Sequence, residues 1–194
     1  MDQRLRLENR RTGEVLHLRR VRDGQQIILE LEGGVPAHGE GPPLHIHLSQ
    51  REEGIVTSGV LTGQLGGERV TIRTGERAVF PAGVSHRWWN EDDAPLSFSG
   101  RAVPAADLDR FLQAVFAAVN AAPSGRPSPF YMAHILSRHW HTQRLVAIPA
   151  LVQRILFPIV IAIGGLLGKY RGDDWPGAPA ACTGAPEVDV ASTR

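Results

Sequence analysis

Sulfur is nearly missing from this chain, and its scarcity removes two explanations at once. The single cysteine, Cys182, lies in a Pro/Ala/Gly-rich tail, so no disulfide can close within the chain and no thiolate metal site is on offer. Charge of one sign is lacking as well: Lys+Arg 21 against Asp+Glu 20 leaves a formal net charge of +1. That balance gives no whole-chain case for nucleic acid, which would need a clustered basic face. Lysine is reduced to Lys169 alone, so the arginine excess reads as compositional bias and not as phosphate recognition. The opening Met1-Asp2-Gln3-Arg4 is followed by charges without an apolar core, so no cleavable signal peptide is expected and a cytoplasmic address is the default.

Long hydrophobic runs are also absent. Leu145–Val152 is apolar, Gln153-Arg154 interrupts, and Ile155–Gly168 continues for 14 residues. A helix that crosses a bilayer needs about 20 residues. Arg154 in the middle of a longer span would cost about 2.5–3.5 kcal/mol, and Pro149 and Pro158 add kinks. Three readings of residues 145–170 stay open, in this order: helices buried against the rest of the chain or in a homodimer, an interfacial helix in peripheral contact with a membrane, and a true span. The composition beyond Arg171 predicts a disordered tail over 172–194.

What is present is a series of short alternating stretches. Leu5-Arg6-Leu7 and Val15–Leu18 alternate or nearly so, and Ile27, Leu29 and Leu31 share a face opposite Glu30 and Glu32. Thr12-Gly13, Asp23-Gly24 and Gly66-Gly67 read as hairpin turns. With Val60–Leu65, Glu68–Arg73, Arg77–Phe80 and Leu96–Val103, about ten strands fall in roughly the first hundred residues, which predicts an all-β sandwich or barrel over 1–103. Seven arginines among the first 22 residues read as a solvated outer face. After Pro104 the period changes: Leu108, Phe111, Leu112, Val115, Phe116 and Val119 recur at helical spacing. Residues 121–129 read as a linker and Phe130–Trp140 as a second helix, so 104–171 is expected to be a C-terminal helical extension.

Chemistry concentrates in residues 39–90. Gly39 is followed by His45-Ile46-His47, Glu52 and Gly59; Gly75 by Pro81-Ala82-Gly83, His86 and Asn90. In a strand, His45 and His47 point to one face while Leu44, Ile46 and Leu48 point to the other. His86 begins a strand-like run some forty residues away, and a closed barrel is the natural way to bring such strands to one interior point. Three imidazoles and a carboxylate suit a divalent first-row metal, with Fe, Mn, Ni and Zn all compatible.

These two stretches resemble the paired motifs of the cupin family at every signature position. The first is glycine, five residues, His-x-His, Glu and Gly, met by Gly39, His45, His47, Glu52 and Gly59; the second is met by Gly75, Pro81, Gly83, His86 and Asn90. The resemblance implies a double-stranded β-helix, a jelly-roll barrel, followed here by C-terminal α-helices. It implies that His45, His47, Glu52 and His86 bind one divalent metal ion and that the glycines and Asn90 are structural. Residues 152–158 and 164–170 look like the tail of some small single-domain cupins, a looser likeness that assigns no function.

The activity expected from that resemblance is a metal-dependent, dioxygenase-type oxidoreductase acting on a small organic substrate. Glu52 carries an alternative catalytic role, leaving the metal to accept a proton. The competing classes are a non-catalytic cupin that binds a small molecule or sugar, and a cupin isomerase or decarboxylase. No helix-turn-helix flanks the barrel, so no nucleic acid partner is expected. Strand parity places Trp88 on the His86 face as a candidate wall of the substrate pocket. It leaves Trp89 outward, needing cover from helices or a second subunit, and a homodimer is expected. His38 and Glu40, in the loop leading to His45, read as plain loop residues. His17 reads as structural, and His134, His139 and His141 as surface or interface residues.

Overall fold

The alternating stretches form ten strands by Val103, and each pairs antiparallel with its neighbours in the computed structural model, which describes residues 4–124, 126–171 and 175–176. They are β1 (Leu5–Glu8), β2 (Val15–Asp23), β3 (Gln26–Val35), β4 (His45–His47), β5 (Arg51–Ser58), β6 (Val60–Leu65), β7 (Glu68–Arg73), β8 (Arg77–Phe80), β9 (His86–Trp89) and β10 (Leu96–Val103). Three helices follow, α1 (Leu108–Ala121), α2 (Pro129–Arg138) and α3 (Ala150–Leu166), with a short strand β11 (Gln143–Leu145) between the last two. Cys182 and nearly all of the tail expected to be disordered lie outside the described residues.

Turn chemistry sets the registers. Asp23 pairs with Gln26 and Leu65 with Glu68, each across a two-residue loop whose first residue, Gly24 or Gly66, has positive φ. One sheet runs β1-β2-β3-β10-β5-β8 and the other β11-β4-β9-β6-β7. Crossovers between consecutive strands of different sheets produce the double-stranded β-helix.

Two apolar clusters hold this arrangement. Val35, Val56, Leu61, Ile72, Ala78, Phe80 and Leu96 fill the space between the sheets. Leu16, Leu18, Leu29 and Ala102 join Leu108 and Phe116 of α1, so the first helix covers one face of the six-stranded sheet with the stripe its spacing predicts. Leu18 and Leu29, each 1% exposed, contribute roughly 1.5–3 kcal/mol apiece by burial. A third cluster, Ala133, Leu136 and Phe157, packs α2 against α3.

The segment after Val103 is not wholly helical. Gln143–Leu145 adds a strand to the edge of the five-stranded sheet, pairing Gln143 with His47, Arg144 with Ile46 and Leu145 with His45. Three residues are too few to show a period, which is why the sequence reads only as the start of an apolar run. The second helix ends at Arg138, so Trp140 lies beyond it. Buried His139 corrects the surface reading for that residue: its Nδ1 meets Asp107 Oδ2 at 2.5 Å and its ring packs edge-on against Phe111. Asp107 precedes α1 without capping it through its side chain. Burial works against ionisation of Asp107, but the hydrogen bond from His139 holds its pKa below the ordinary value.

Candidate metal centre

His45 and His86 sit directly opposite one another, because β4 and β9 pair through that one register position. His47 follows two residues along β4 and therefore shares the face. Glu52 arrives from the other sheet, on β5, where it pairs with Phe80 and Ala102. One donor atom from each of the four residues can be chosen so that all lie within 4.8 Å of one another.

The rings are aimed by hydrogen bonds on their far sides. His45 Nδ1 lies 2.8 Å from Pro43 O and His86 Nδ1 lies 3.0 Å from Val84 O, so each donates to a carbonyl and leaves its Nε2 as a lone-pair donor toward the cluster. His45 Nε2 is 3.1 Å from His47 Nε2; Glu52 Oε1 is 3.4 Å from His47 Nε2, and Glu52 Oε2 is 3.3 Å from His86 Nε2. His86 Nε2 is fully buried, and its approach to Glu52 lacks hydrogen-bond geometry. A buried nitrogen with a free lone pair, surrounded by two more imidazoles and a carboxylate, fits a divalent cation. Phe80 stacks on His86 at 4.8 Å and closes the apolar side.

The electrostatics prepare the site for a cation. Burial pushes His45 down to about 4, helped by the neighbouring His47 and His86, so its ring is neutral at neutral pH. Burial lowers His47 as well. Burial opposes ionisation of Glu52, but His47, His86 and His45 outweigh it and hold the carboxyl at about 2. His47 and His86 are 1% and 0% exposed, whereas His45 and Glu52 keep partial exposure, so the cluster opens to solvent on the His45 and Glu52 side.

Gln50 belongs to this site and the sequence does not announce it. It is fully buried beside His47, favours that ring's protonated form, and donates from Nε2 to Ala105 O at 2.8 Å. Its Oε1 and His47 Nδ1 are both buried without a completed hydrogen bond, an acceptor and a donor suited to each other. A single glutamine between two ligands has no spacing that would mark it.

Residues 31–99 match the family model described as the cupin domain. This chain carries a cupin domain. The oxidoreductase iacF of Pestalotiopsis fici is 37% identical over 79 residues, 39% of this chain and 39% of that protein, so the chain spans well under half of the curated relative it matches. Among solved structures, a sugar phosphate isomerase of the cupin superfamily from Silicibacter pomeroyi is 25% identical, covering 45% of this chain and 58% of that one at a TM-score of 0.39. An RmlC-like cupin from Shewanella frigidimarina is 14% identical, covering 56% and 89% at a TM-score of 0.44. Scores this low bear on neither activity nor substrate.

Within the cupin domain the motif glycines and Asn90 hold loops. Gly59 has φ +80° and a Cβ there would lie 2.6 Å from Pro95 O, so a larger residue is excluded twice over. Asn90 Nδ2 donates to Pro36 O and Ala94 O, both at 2.8 Å, and its Oδ1 accepts from Asp92 N.

Trp88 faces the interior as parity requires, but it packs edge-on against Phe98 at 5.1 Å, one strand step beyond His86. The cavity it lines, about 560 Å³, is formed by residues 38–43 and 87–91 and includes none of the four clustered residues. His38 and Glu40 line that cavity too, His38 Nε2 meeting Asp93 at 3.0 Å. Trp89 corrects an expectation: its cover comes from Arg87 and Arg69, whose guanidinium groups sit 4.9 and 5.6 Å from the ring, and from Glu91, which accepts its Nε1–H at 3.2 Å. Neither a helix nor a second subunit is needed for it.

Proposed function

We propose that the cupin domain holds one divalent first-row metal ion through His45, His47, Glu52 and His86 and works as an oxygenase-type oxidoreductase on a small organic substrate. The observation that carries the metal site is the convergence of the four donor atoms within 4.8 Å, with His45 and His86 turned inward by backbone carbonyls. The reaction class draws on the oxidoreductase relative at 37% identity. A bound iron, manganese or nickel ion would supply Lewis acidity and redox chemistry, and zinc Lewis acidity alone.

The protein's own contribution is orientation, access and charge. His47 and His86 form the closed floor, and substrate enters past His45 and Glu52, the two donors with remaining exposure. Phe80 keeps water from the back of the His86 ring. Glu52 stays ionised across the neutral range, which suits it to a cation, and its alternative role is to leave the metal and accept a proton from the substrate.

The test is oxygen consumption by the metal-loaded protein against a panel of phenolic and diketone-type compounds, with Glu52→Gln and His86→Ala as controls. Turnover that needs both residues supports the reading. Tight binding of a sugar or small acid with no turnover would replace it with a binding module. Turnover without oxygen uptake would point to an isomerase or decarboxylase.

A further inference from the structure

We infer that α3 docks flat onto an anionic lipid surface, its outer face entering the headgroup region. One stripe of the helix serves the fold: Gln153 is buried against Leu145 and Ile148 in the chain before α3, Phe157 against α2, and Gly164 against Tyr170 in the chain that follows. The opposite stripe is apolar and open, with Leu151, Ile155, Leu156, Ile159, Ile163 and Leu166 between 43% and 87% exposed. At about 100° per residue these positions fall within one half of the helix circumference. No helix among the described residues is long and apolar enough to cross a membrane, so the face suits the surface of a bilayer and not its thickness.

Charge selects the occupant. Residues 110–194 hold eight basic against four acidic side chains, a net charge of +4, and seven of the basic ones (Arg110, Arg126, Arg138, Arg144, Arg154, Lys169 and Arg171) precede the first carboxylate, Asp173. Residues 1–109 hold 13 basic against 16 acidic side chains, a net charge of −3. In residues 1–109 several arginines are ion-paired, as in Arg19 with Glu30 and Arg101 with Glu53, whereas among the described residues none of the seven joins an ion pair. Arg154 lies at the edge of the open stripe, and Lys169 and Arg171 follow its end. A second copy docking α3 on α3 would set Arg154 against Arg154 with no carboxylate on either helix to meet it, since a two-fold interface uses the same patch twice. An anionic headgroup layer provides the missing countercharge, and the polarity of the chain orients it with the helices toward the lipid. Aromatic side chains suited to the interface stand beside the helix end: Tyr170 and Tyr131 lie 5.1 and 5.8 Å from Trp175.

The experiment uses the full chain and sedimentation with vesicles of phosphatidylcholine alone or of equimolar phosphatidylcholine and phosphatidylglycerol. The chain should pellet with the anionic vesicles, and binding should fall as salt rises. Ile155→Asp with Ile159→Asp, both exposed and so neutral for folding by circular dichroism, should abolish it. Arg154→Gln and Lys169→Gln should each weaken it about fivefold, the Boltzmann factor for about 1 kcal/mol per surface cation. Equal binding to both vesicle types, or no binding by the parent, would overturn the inference. So would a parent that stays out of the pellet but sediments as a dimer broken by the Ile→Asp pair, which would assign the face to a second copy.

Discussion

Gln153 is where the C-terminal helices reach the ligand strand, and replacing it tests that connection. Its Nε2 donates to Leu145 O at 2.8 Å and to Ile148 O at 2.5 Å, and the residue is 1% exposed. Leu145 ends β11 opposite His45, and the flanking bonds Leu48 N–H to Thr142 O, 2.7 Å, and Val146 N–H to Leu44 O, 3.0 Å, fasten the two strands. Gln153→Leu keeps the volume and removes two hydrogen bonds worth about 0.5–1.5 kcal/mol each. It also strands two carbonyl oxygens, while deleting Gln153 Oε1, itself buried without a partner, returns part of the loss. The net expectation is a destabilisation of about 1–3 kcal/mol. For a chain of this size the central value lowers Tm by about 4–8 °C. Gln153→Glu should cost more, because it turns a carboxylate oxygen toward two carbonyls. Calorimetry measures the midpoint, and hydrogen exchange at Leu48 and Val146 reports whether β11 loosens from β4. A Gln153→Leu protein within about 0.5 kcal/mol of the parent, or a Gln153→Glu protein more stable than it, would refute the reasoning.

Gln50→Leu should lower metal affinity by about 10–100-fold in a competition titration with a chromogenic chelator, since it removes the acceptor facing His47 Nδ1; unchanged affinity would show that Gln50 does not orient the ring. Glu14 is pushed by burial from 4.5 to about 7, so between those values the native state holds a proton that the unfolded chain has released. Stability should therefore fall as pH rises through that window, by about 3 kcal/mol or less, and Glu14→Gln should flatten the slope in denaturant titrations at several pH values. Trp88→Ala should cost about 3 kcal/mol, the low end for a tryptophan since Trp88 is only half-buried, through lost contact with Phe98 and the inter-sheet core, yet leave metal stoichiometry intact; loss of metal with the fold retained would place Trp88 in the site after all.

The legible part of this protein is the part written in periods and spacings. Alternation and the Gly24 and Gly66 turns foretell the strands, and the Leu108 to Val119 stripe foretells α1, because each repeats often enough to exceed chance. The parity of His45 and His47 on one strand likewise follows from alternation, whereas His86 joins them in the sequence only through the resemblance of the paired motifs. What the sequence conceals depends on single contacts made at long range. β11 is a three-residue strand whose identity is conferred by its partner β4, and Gln50 is a lone amide whose role exists only beside His47. His139 looks like a surface histidine until Asp107, 32 residues earlier, is brought against it. Trp89 shows the converse: a large outward aromatic is covered by Arg87 of its own strand, Glu91 just beyond it and Arg69 of β7.

Elemental analysis of untagged protein decides whether the four side chains hold one metal ion. The parent should carry close to one equivalent of a divalent first-row metal after purification or reconstitution, and the His47→Ala, His86→Ala double variant, folded by circular dichroism, should carry none. A parent that stays metal-free after reconstitution with iron, manganese, nickel and zinc in turn, or a double variant that retains the full equivalent, would contradict the account.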